Sequence, residues 1–198
     1  MNVKLEYAEW ANFWFEDAPN QTAERIMLIG DSITNGYRRI VQEKFKDSEL
    51  LVDMTVGSRG ADNPALYAEI EYAIGDVNGY KYKAVHFNNG LHANHLTADE
   101  YETGMRYCIG LIKKLQPEAV IILVTSTPLA DNSNNAFVFE RNEIVKKLTA
   151  EYNLAIDDLF IAVAGKAEYP QPDGAHFTSV GYDHLAQTVY NKIAQILL

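Results

Sequence analysis

The chain alternates short apolar segments with longer amphipathic ones, and this alternation restricts the fold more than any other feature of the sequence. Each short segment is bounded by turn residues, which is typical of a buried strand. The longer segments carry apolar residues at helical spacing. Strands joined by helices of about a dozen residues predict parallel pairing, with helices on both faces of the sheet. The five predicted strands cover residues 25–29, 50–56, 84–87, 119–124 and 155–157.

We predict one domain over residues 1–198, built as a three-layer α/β/α sandwich around a five-stranded parallel sheet. A chain of this length buries a sizeable core without disulfides or metals, and no repeat or linker divides it. Residues 1–24 are rich in aromatic side chains. Because such side chains mostly serve burial, we expect this segment to pack on the domain or on a second subunit rather than to line a substrate pocket.

Charge and composition argue against several classes of partner. The net charge of −10 repels nucleic acids and anionic membrane surfaces, so we expect neither as a partner. No apolar run is long enough to cross a bilayer. The N-terminus lacks the apolar stretch of a secretory signal, and we expect a cytoplasmic protein unless a signal has been trimmed from it. Cys108, the only cysteine, rules out an internal disulfide and is expected to be a buried thiol.

The residues Gly30, Asp31 and Ser32 follow the first predicted strand and precede a helical pattern from Tyr37 to Phe45. In an open parallel sheet, ligands bind beyond the carboxyl ends of the strands. A serine there meets the unpaired N–H groups and the positive dipole end of the next helix, which suit a developing oxyanion. Ser32 is therefore a candidate nucleophile, although Asp31 and Ser32 can equally act as helix caps.

A base for this serine is found near the other end of the chain, where Asp173 and His176 stand just before the last predicted helix. His176 can accept the proton of Ser32, and Asp173 can orient and stabilise the resulting imidazolium. The alternative is that both are solvated loop residues. Because all three lie at or beside the carboxyl edge of the predicted sheet, we interpret them as nucleophile, base and orienting carboxylate.

Two further loops at this edge carry hydrogen-bond donors that suit an oxyanion. Gly60 follows the second predicted strand, and the lack of a side chain lets its N–H approach a substrate closely. Asn88, Asn89 and His92 follow the third strand and supply side-chain donors. Helix capping alone does not explain why these donors gather at the same edge.

Other kinds of site find less support in the sequence. There is no G-x-G-x-x-G and no lysine after Gly36, so a nucleotide-binding or regulatory domain is the weakest alternative. Thr34 stands where a G-x-S-x-G motif would have its second glycine, which argues against an α/β-hydrolase. His92 and His95, with Asp99 nearby, could be metal ligands, but their spacing fixes no third ligand. We expect no metal.

These segments resemble the sequence blocks of the SGNH hydrolases, also called GDSL-type lipases and esterases, over nearly the whole chain from Ile26 onward. Residues 30–34 (Gly-Asp-Ser-Ile-Thr) are similar to the first block, whose serine is the nucleophile and whose backbone N–H donates to the oxyanion. Residues 173–177 (Asp-Gly-Ala-His-Phe) are similar to the last block, which supplies the carboxylate and the base. Gly60 matches the glycine of the second block, an oxyanion N–H donor.

The third block departs most from the family pattern G-x-N-D. Aligning Gly90 with the glycine of that pattern, without gaps, places His92 where the asparagine belongs. Alternatively, Asn88 or Asn89 supplies an amide from slightly earlier in the loop. We therefore keep Asn88 and His92 as candidates for the third oxyanion donor. In the second block, Thr55 replaces the asparagine that family members usually have.

The resemblance implies a flavodoxin-like SGNH hydrolase fold and a serine esterase without a cofactor, which acts on small carboxylic esters through an acyl-enzyme on Ser32. Within the family, O-acetyl groups on a carbohydrate are the first expectation, and the partner would then be a small-molecule or oligosaccharide ester. A lysophospholipase, a thioesterase and a non-catalytic carbohydrate- or acyl-binding module on the same scaffold are the alternatives. The sequence leaves homo-oligomerisation open.

Overall fold

The structure of the chain, a computed structural model, describes residues 3–131 and 135–198. Within these residues the strands are β1 (Ala11–Trp14), β2 (Glu24–Gly30), β3 (Leu50–Gly57), β4 (Tyr82–Asn88), β5 (Val120–Val124) and β6 (Ala155–Asp157). They form one six-stranded sheet in the order β1-β3-β2-β4-β5-β6. Strands β2 to β6 pair in parallel, whereas β1 runs antiparallel to β3 at the edge. β2 therefore lies inside the sheet, between β3 and β4.

The five predicted parallel strands are confirmed, but the count of five was wrong because the aromatic segment contributes β1. Phe13 pairs with Thr55 of β3, and both Phe13 and Phe15 pack against the buried core. Trp14 stays about half exposed. A short strand at an edge is buried on only part of its surface, so it lacks the continuous apolar run that marked the others. Residues 1 and 2 of the predicted segment lie outside the described residues.

Helices cover both faces of the sheet. They are α1 (Ser32–Phe45), α2 (Pro64–Ile74), α3 (Ala98–Leu115), α4 (Ala136–Tyr152), α5 (Leu159–Val163) and α6 (Ser179–Leu197). Local sequence explains several of their starts. Asn63 caps α2 with Pro64 at its first turn, and Thr97 forms a capping box with Glu100 at the start of α3. None of the helices in the described part of the chain is long and apolar enough to span a bilayer.

The residues of β2 show how the two cores arise. Ile26 and Leu28 point to the face covered by α1 and α6, whereas Met27 and Ile29 point to the face covered by α2, α3 and α4. All four are essentially without solvent contact. Because successive side chains of a strand alternate between faces, a strand buried on both sides must be apolar throughout. The end of such a rigid strand is a firm support for a functional group.

Candidate active site

Ser32 lies at the carboxyl edge of the sheet, just after the end of β2, and is the first residue of α1. The preceding Asp31 caps the helix, because its Oδ1 accepts a hydrogen bond of 2.8 Å from the N–H of Ile33. Ser32 therefore lies among the unpaired N–H groups at the positive end of the helix dipole. The sequence placed the helical pattern from Tyr37 onward. The helix starts earlier, at residues where Gly36 and its polar neighbours weaken the sequence signal.

The structure brings Ser32, His176 and Asp173 into one hydrogen-bonded chain. The Ser32 Oγ lies 2.8 Å from Nε2 of His176, and Nδ1 of His176 lies 2.8 Å from Oδ2 of Asp173. Both spacings are those of good hydrogen bonds. The His176 side chain is 39% exposed and that of Asp173 is 49% exposed, so the site is open to solvent. A serine, an imidazole and a carboxylate in this order can generate an alkoxide-like nucleophile.

The segment that carries Asp173 and His176 is held in place by its own backbone. Pro170 and Phe177 form an isolated antiparallel bridge, and the N–H of Gln171 donates 2.8 Å to the carbonyl of His176. Phe177 is buried and anchors the segment in the core below α6. Gly174, between Asp173 and His176, has a φ of 77°, a conformation that favours glycine. The turn at Gly174 thus lets the chain reverse between the carboxylate of Asp173 and the imidazole of His176.

Hydrogen bonds also set the charge state of Asp173. The backbone N–H groups of His176 and Ala175 donate to its Oδ1 at 2.9 and 3.0 Å, and the His176 ring bonds to its other oxygen. These bonds favour the ionised carboxylate and lower the pKa of Asp173 to about 2. Asp173 is therefore a carboxylate over the whole physiological range, which is the state that stabilises an imidazolium.

Gly60 lies where the loops that follow β3 and β4 touch. A Cβ on Gly60 would fall 2.2 Å from the Cβ of Ala93 and 2.8 Å from Oδ1 of Asp62, so no side chain fits there. A second contact joins the same two loops, because Nδ2 of Asn89 donates 2.8 Å to the carbonyl of Arg59. The absence of a side chain at Gly60 thus permits close packing of the two loops, as well as the backbone approach expected from the sequence.

The two candidates for the third donor, and the alternative Asn89, differ in their surroundings. Nδ2 of Asn88 donates 3.1 Å to the carbonyl of Val124 on β5, and Nδ2 of Asn89 is the atom bonded to Arg59. Both asparagines are buried. The His92 side chain is 24% exposed, and its Nδ1 lies 3.9 Å from Oε1 of Glu6. No hydrogen bond from the described residues engages Nε2 of His92.

The histidines considered as metal ligands face single carboxylates. His92 lies near Glu6, and Nε2 of His95 lies 4.0 Å from Oδ2 of Asp62. Among residues 3–131 and 135–198, no group of three or more histidine, cysteine, aspartate or glutamate side chains is arranged to hold a metal ion.

Two residues near the site were missed by the sequence analysis. Arg141 of α4 donates to backbone carbonyls of the loop after β4, and Glu6 accepts a hydrogen bond from the N–H of Ala93 in that loop. A signal existed for Arg141, since Val138, Asn142 and Val145 place it on the buried stripe of the helix. A charged residue on such a stripe needs buried partners. Nothing in the sequence indicated Glu6.

Solved structures of lipases and esterases share this arrangement of strands and helices. A GDSL-like lipase from Bacteroides thetaiotaomicron is 17% identical, with a TM-score of 0.71 over 91% of this chain and 92% of that chain. A carbohydrate esterase family 3 protein from Talaromyces cellulolyticus is 17% identical, with a TM-score of 0.74 over 87% of this chain and 97% of that chain. The chain has the fold of the SGNH hydrolases.

An acetylxylan esterase from Geobacillus stearothermophilus shows the SGNH hydrolase fold as well, at 22% identity and a TM-score of 0.70, over 86% of this chain and 94% of that chain. No protein-family model and no curated protein sequence matches the chain. At these identities the likeness establishes the fold. The predicted three-layer α/β/α class is thereby confirmed, while the chemistry has to be argued from the residues themselves.

Proposed function

We propose that the chain is a serine esterase that hydrolyses small carboxylic esters, with O-acetyl groups on a carbohydrate as its substrate class. The observation that carries the proposal is the hydrogen-bonded chain from Ser32 through His176 to Asp173, with 2.8 Å at each of its two side-chain contacts. These groups come from opposite ends of the sequence, and no capping role explains why Nε2 of His176 points at the Ser32 Oγ. The enzymes that share the fold support the same class of reaction.

Attack on the ester begins at Ser32. Its Oγ adds to the carbonyl carbon while its proton passes to Nε2 of His176, and the carbonyl oxygen takes up the negative charge. Asp173, ionised and bonded to Nδ1 of the same ring, stabilises the imidazolium. The imidazolium then gives its proton to the leaving alcohol oxygen as the bond between carbon and that oxygen breaks, which leaves an acyl group on Ser32.

Water completes the cycle by the same route. His176 takes a proton from a water molecule, the resulting hydroxide adds to the acyl carbon, and a second oxyanion forms. When it collapses, the bond to the Ser32 Oγ breaks, His176 returns the proton to that oxygen, and the carboxylic acid departs. The open position of the Asp173 and His176 side chains suits this step, because water reaches the base directly.

The oxyanion would be held by the backbone N–H groups of Ser32 and Gly60 and by one side chain of the loop after β4. We assign the side-chain role to His92 rather than Asn88, because the two hydrogens of the Asn88 amide already have acceptors, the carbonyl of Val124 at 3.1 Å and the Oγ of Ser126 at 3.5 Å. Donation from Nε2 of His92 requires a hydrogen on that nitrogen, in the neutral ring or the imidazolium. Donors of this kind are each worth about 10²–10³ in rate.

The openness of the site supports an ester on a large alcohol with a small acyl group. A long acyl chain needs a deep apolar channel to bury it, whereas an acetyl group needs little more than the oxyanion donors. An acetylated sugar can approach the half-exposed triad from solvent. Fold neighbours named as an acetylxylan esterase and as a carbohydrate esterase support this choice over a lysophospholipase or a thioesterase.

Covalent labelling tests the mechanism. We expect a fluorophosphonate to give one adduct, which mass spectrometry of the digested protein places on Ser32. Ser32→Ala should form no adduct and should lower kcat for p-nitrophenyl acetate by on the order of 10⁶. A wild-type chain that binds acetylated sugars but forms no adduct would instead be a binding module on this scaffold, and the proposal would be wrong.

A comparison of substrates tests the specificity. We expect kcat/KM on acetylated xylo-oligosaccharides to exceed that on p-nitrophenyl butyrate and longer esters, with p-nitrophenyl acetate the best of the chromogenic series. Rising rates with acyl chain length would favour a lipase or thioesterase and contradict the assignment to acetyl groups, while leaving the serine mechanism intact.

A further inference from the structure

The loop after β4, residues 89–93, is held on one side by a buried arginine that has no carboxylate partner among the described residues. Arg141 is 2% exposed. Its Nη1 donates 2.8 Å to the carbonyl of Gly90 and 2.6 Å to that of His92, and its Nη2 donates 2.5 Å to that of Ala93. Burying a cation without a counter-ion is unfavourable unless several hydrogen bonds compensate. Here, all three of the bonds described go to this one loop.

Aromatic rings hold the guanidinium in place. The guanidinium carbon lies 4.8 Å from the ring centroid of Tyr101 and 5.0 Å from that of Phe137. The hydroxyl of Tyr101 also donates to the carbonyl of Asn89. A planar guanidinium that packs against rings is pre-organised, so it loses little conformational entropy when it binds the loop.

Glu6 holds the same loop through a different atom. Its Oε1 accepts a hydrogen bond of 2.5 Å from the N–H of Ala93, while Arg141 binds the carbonyl of Ala93. Ala93 has a φ of 53°, which is unfavourable for a residue with a side chain. Such a conformation persists only where the surroundings impose it. A cation and an anion acting on one residue meet that requirement.

We propose that Arg141, assisted by Glu6, is a positioning residue that fixes the loop 89–93 so that His92 can donate to the oxyanion. The inference rests on the proposed esterase activity. His92 lies between Gly90 and Ala93, whose carbonyls Arg141 binds together with that of His92 itself. The backbone from which the imidazole projects is thus held at three carbonyls within four residues. Ala93 is also the residue of this loop that packs against Gly60.

The alternative is that Arg141 only stabilises the fold, and the substitution R141K separates the two roles. Lysine keeps the charge but cannot direct planar donors at three carbonyls. A structural role predicts a lower melting temperature with unchanged turnover by the folded protein. A positioning role predicts that kcat falls while KM stays nearly constant, because a displaced donor weakens the transition state more than substrate binding.

The test is a double-mutant cycle with H92A, measured on p-nitrophenyl acetate well below the melting temperature of each variant. We expect R141K to lower kcat by about tenfold in the wild-type background, and by less than about twofold when His92 is already alanine. R106K is the matched control, because Arg106 is an arginine of α3 whose partners, the carboxylates of Glu102 and Glu151 and the hydroxyl of Tyr152, lie outside the loop 89–93. It should leave kcat unchanged in both backgrounds.

E6Q provides a second route if R141K does not fold. The amide oxygen still accepts the Ala93 N–H but without charge, so we expect a loss of about threefold in kcat that also disappears in the H92A background. Equal losses in both backgrounds, or no loss from either variant, overturn the inference while the esterase stands. A wild-type chain with neither turnover nor a Ser32 adduct refutes the proposed function, and this inference with it.

Discussion

Gly60 and Ala93, on loops that follow different strands, pack so closely that a Cβ on Gly60 would lie 2.2 Å from the Cβ of Ala93. The contact joins the loop after β3 to the loop after β4, and these two strands flank β2, which leads to Ser32. Ala93 cannot move away freely, because it is bonded through both its N–H and its carbonyl. The separation of the proposed oxyanion donors therefore depends on the absence of one methyl group.

Gly60→Ala should separate the two loops. A methyl group at 2.2 Å cannot be accommodated without backbone movement, and overpacking of this kind costs about 1–3 kcal/mol of the free energy of unfolding. We expect kcat on p-nitrophenyl acetate to fall by on the order of 10²–10³, the value of one oxyanion donor. Urea unfolding and steady-state kinetics on the same preparation measure both quantities.

Gly110→Ala is the matched control. Gly110 lies within α3, and no atom lies within 4 Å of the position that its Cβ would take. The change should raise the free energy of unfolding by about 0.5–1 kcal/mol, because alanine favours a helix, and should leave kcat unchanged. If Gly60→Ala behaved in the same way, the contact between the two loops would have no part in catalysis.

Asp173→Asn should keep the fold and lose most of the activity. The amide oxygen can still accept the backbone N–H groups of Ala175 and His176, so the segment keeps its shape. Its NH₂ would donate to Nδ1 of His176, which puts the ring hydrogen on Nε2, facing Ser32. That tautomer cannot accept the serine proton, and we expect kcat to fall by about 10³–10⁴ with KM little changed.

Asp183→Asn removes the same charge from an exposed position of α6 and should be neutral in the same assay. The neutral tautomer can be observed directly, because the ¹⁵N shifts of the His176 ring distinguish a hydrogen on Nε2 from one on Nδ1. A fully active Asp173→Asn would contradict the role given to this carboxylate.

The titration of Asp173 tests its hydrogen bonds independently of catalysis. Its pKa in the folded chain is about 2, against about 3.9 for an unperturbed aspartate. Because the folded pKa is the lower one, the carboxylate contributes stability above about pH 4, and the contribution is lost as the pH falls through about 2. We expect the ¹³C signal of the Asp173 carboxyl to change little between pH 7 and 4. A midpoint near pH 4 would mean that the bonds from Ala175 and His176 do not form.

The parallel strands, and the position of Ser32 at their carboxyl edge, were predictable from sequence for a simple physical reason. A strand buried on both faces must be apolar throughout, and the residues after it must lie at the carboxyl edge of the sheet. Ser32 could therefore be placed from its neighbours alone. Asp173 and His176 could be placed at the same edge because they lie in a short loop just before the last helix. β1 was missed because a strand at the edge of a sheet need not be apolar throughout.

The surroundings of the third donor could not be predicted, because they depend on contacts between residues distant in sequence. Asn88 and His92 are both plausible donors as residue types, and only the position of Val124 on β5 shows that the Asn88 amide is already engaged. Likewise, the hold of Arg141 on the loop 89–93 requires α4 to pack beside it. Periodicity indicates that a side chain is buried but not which backbone it meets.

Cys108 should be chemically inert in the folded chain. It is fully buried in the core beneath α3, and burial raises the pKa of its thiol to about 12, so the thiolate is scarce at pH 8. We expect iodoacetamide at pH 8 to label the unfolded chain in guanidinium chloride but not the native one. Cys108→Ala should retain full esterase activity. A carbamidomethyl group found on Cys108 of the native chain by mass spectrometry would contradict this expectation.

A buried ion pair ties the strands together away from the site, and its removal should affect stability without affecting catalysis. Nη1 of Arg25 on β2 lies 3.0 Å from the Asp53 carboxylate on β3, and neither side chain is exposed. Asp53→Ala leaves Arg25 as a buried cation without its counter-ion, which should lower the free energy of unfolding by about 3–5 kcal/mol. Replacing both residues together, as Arg25→Met with Asp53→Leu, should recover much of that loss, because the cost is the unpaired charge.

Urea unfolding measures the stability, and kcat on p-nitrophenyl acetate at low temperature should stay close to the wild-type value in each folded variant. A double variant no more stable than Asp53→Ala would show that the stability comes from the bonds of this pair rather than from its neutrality.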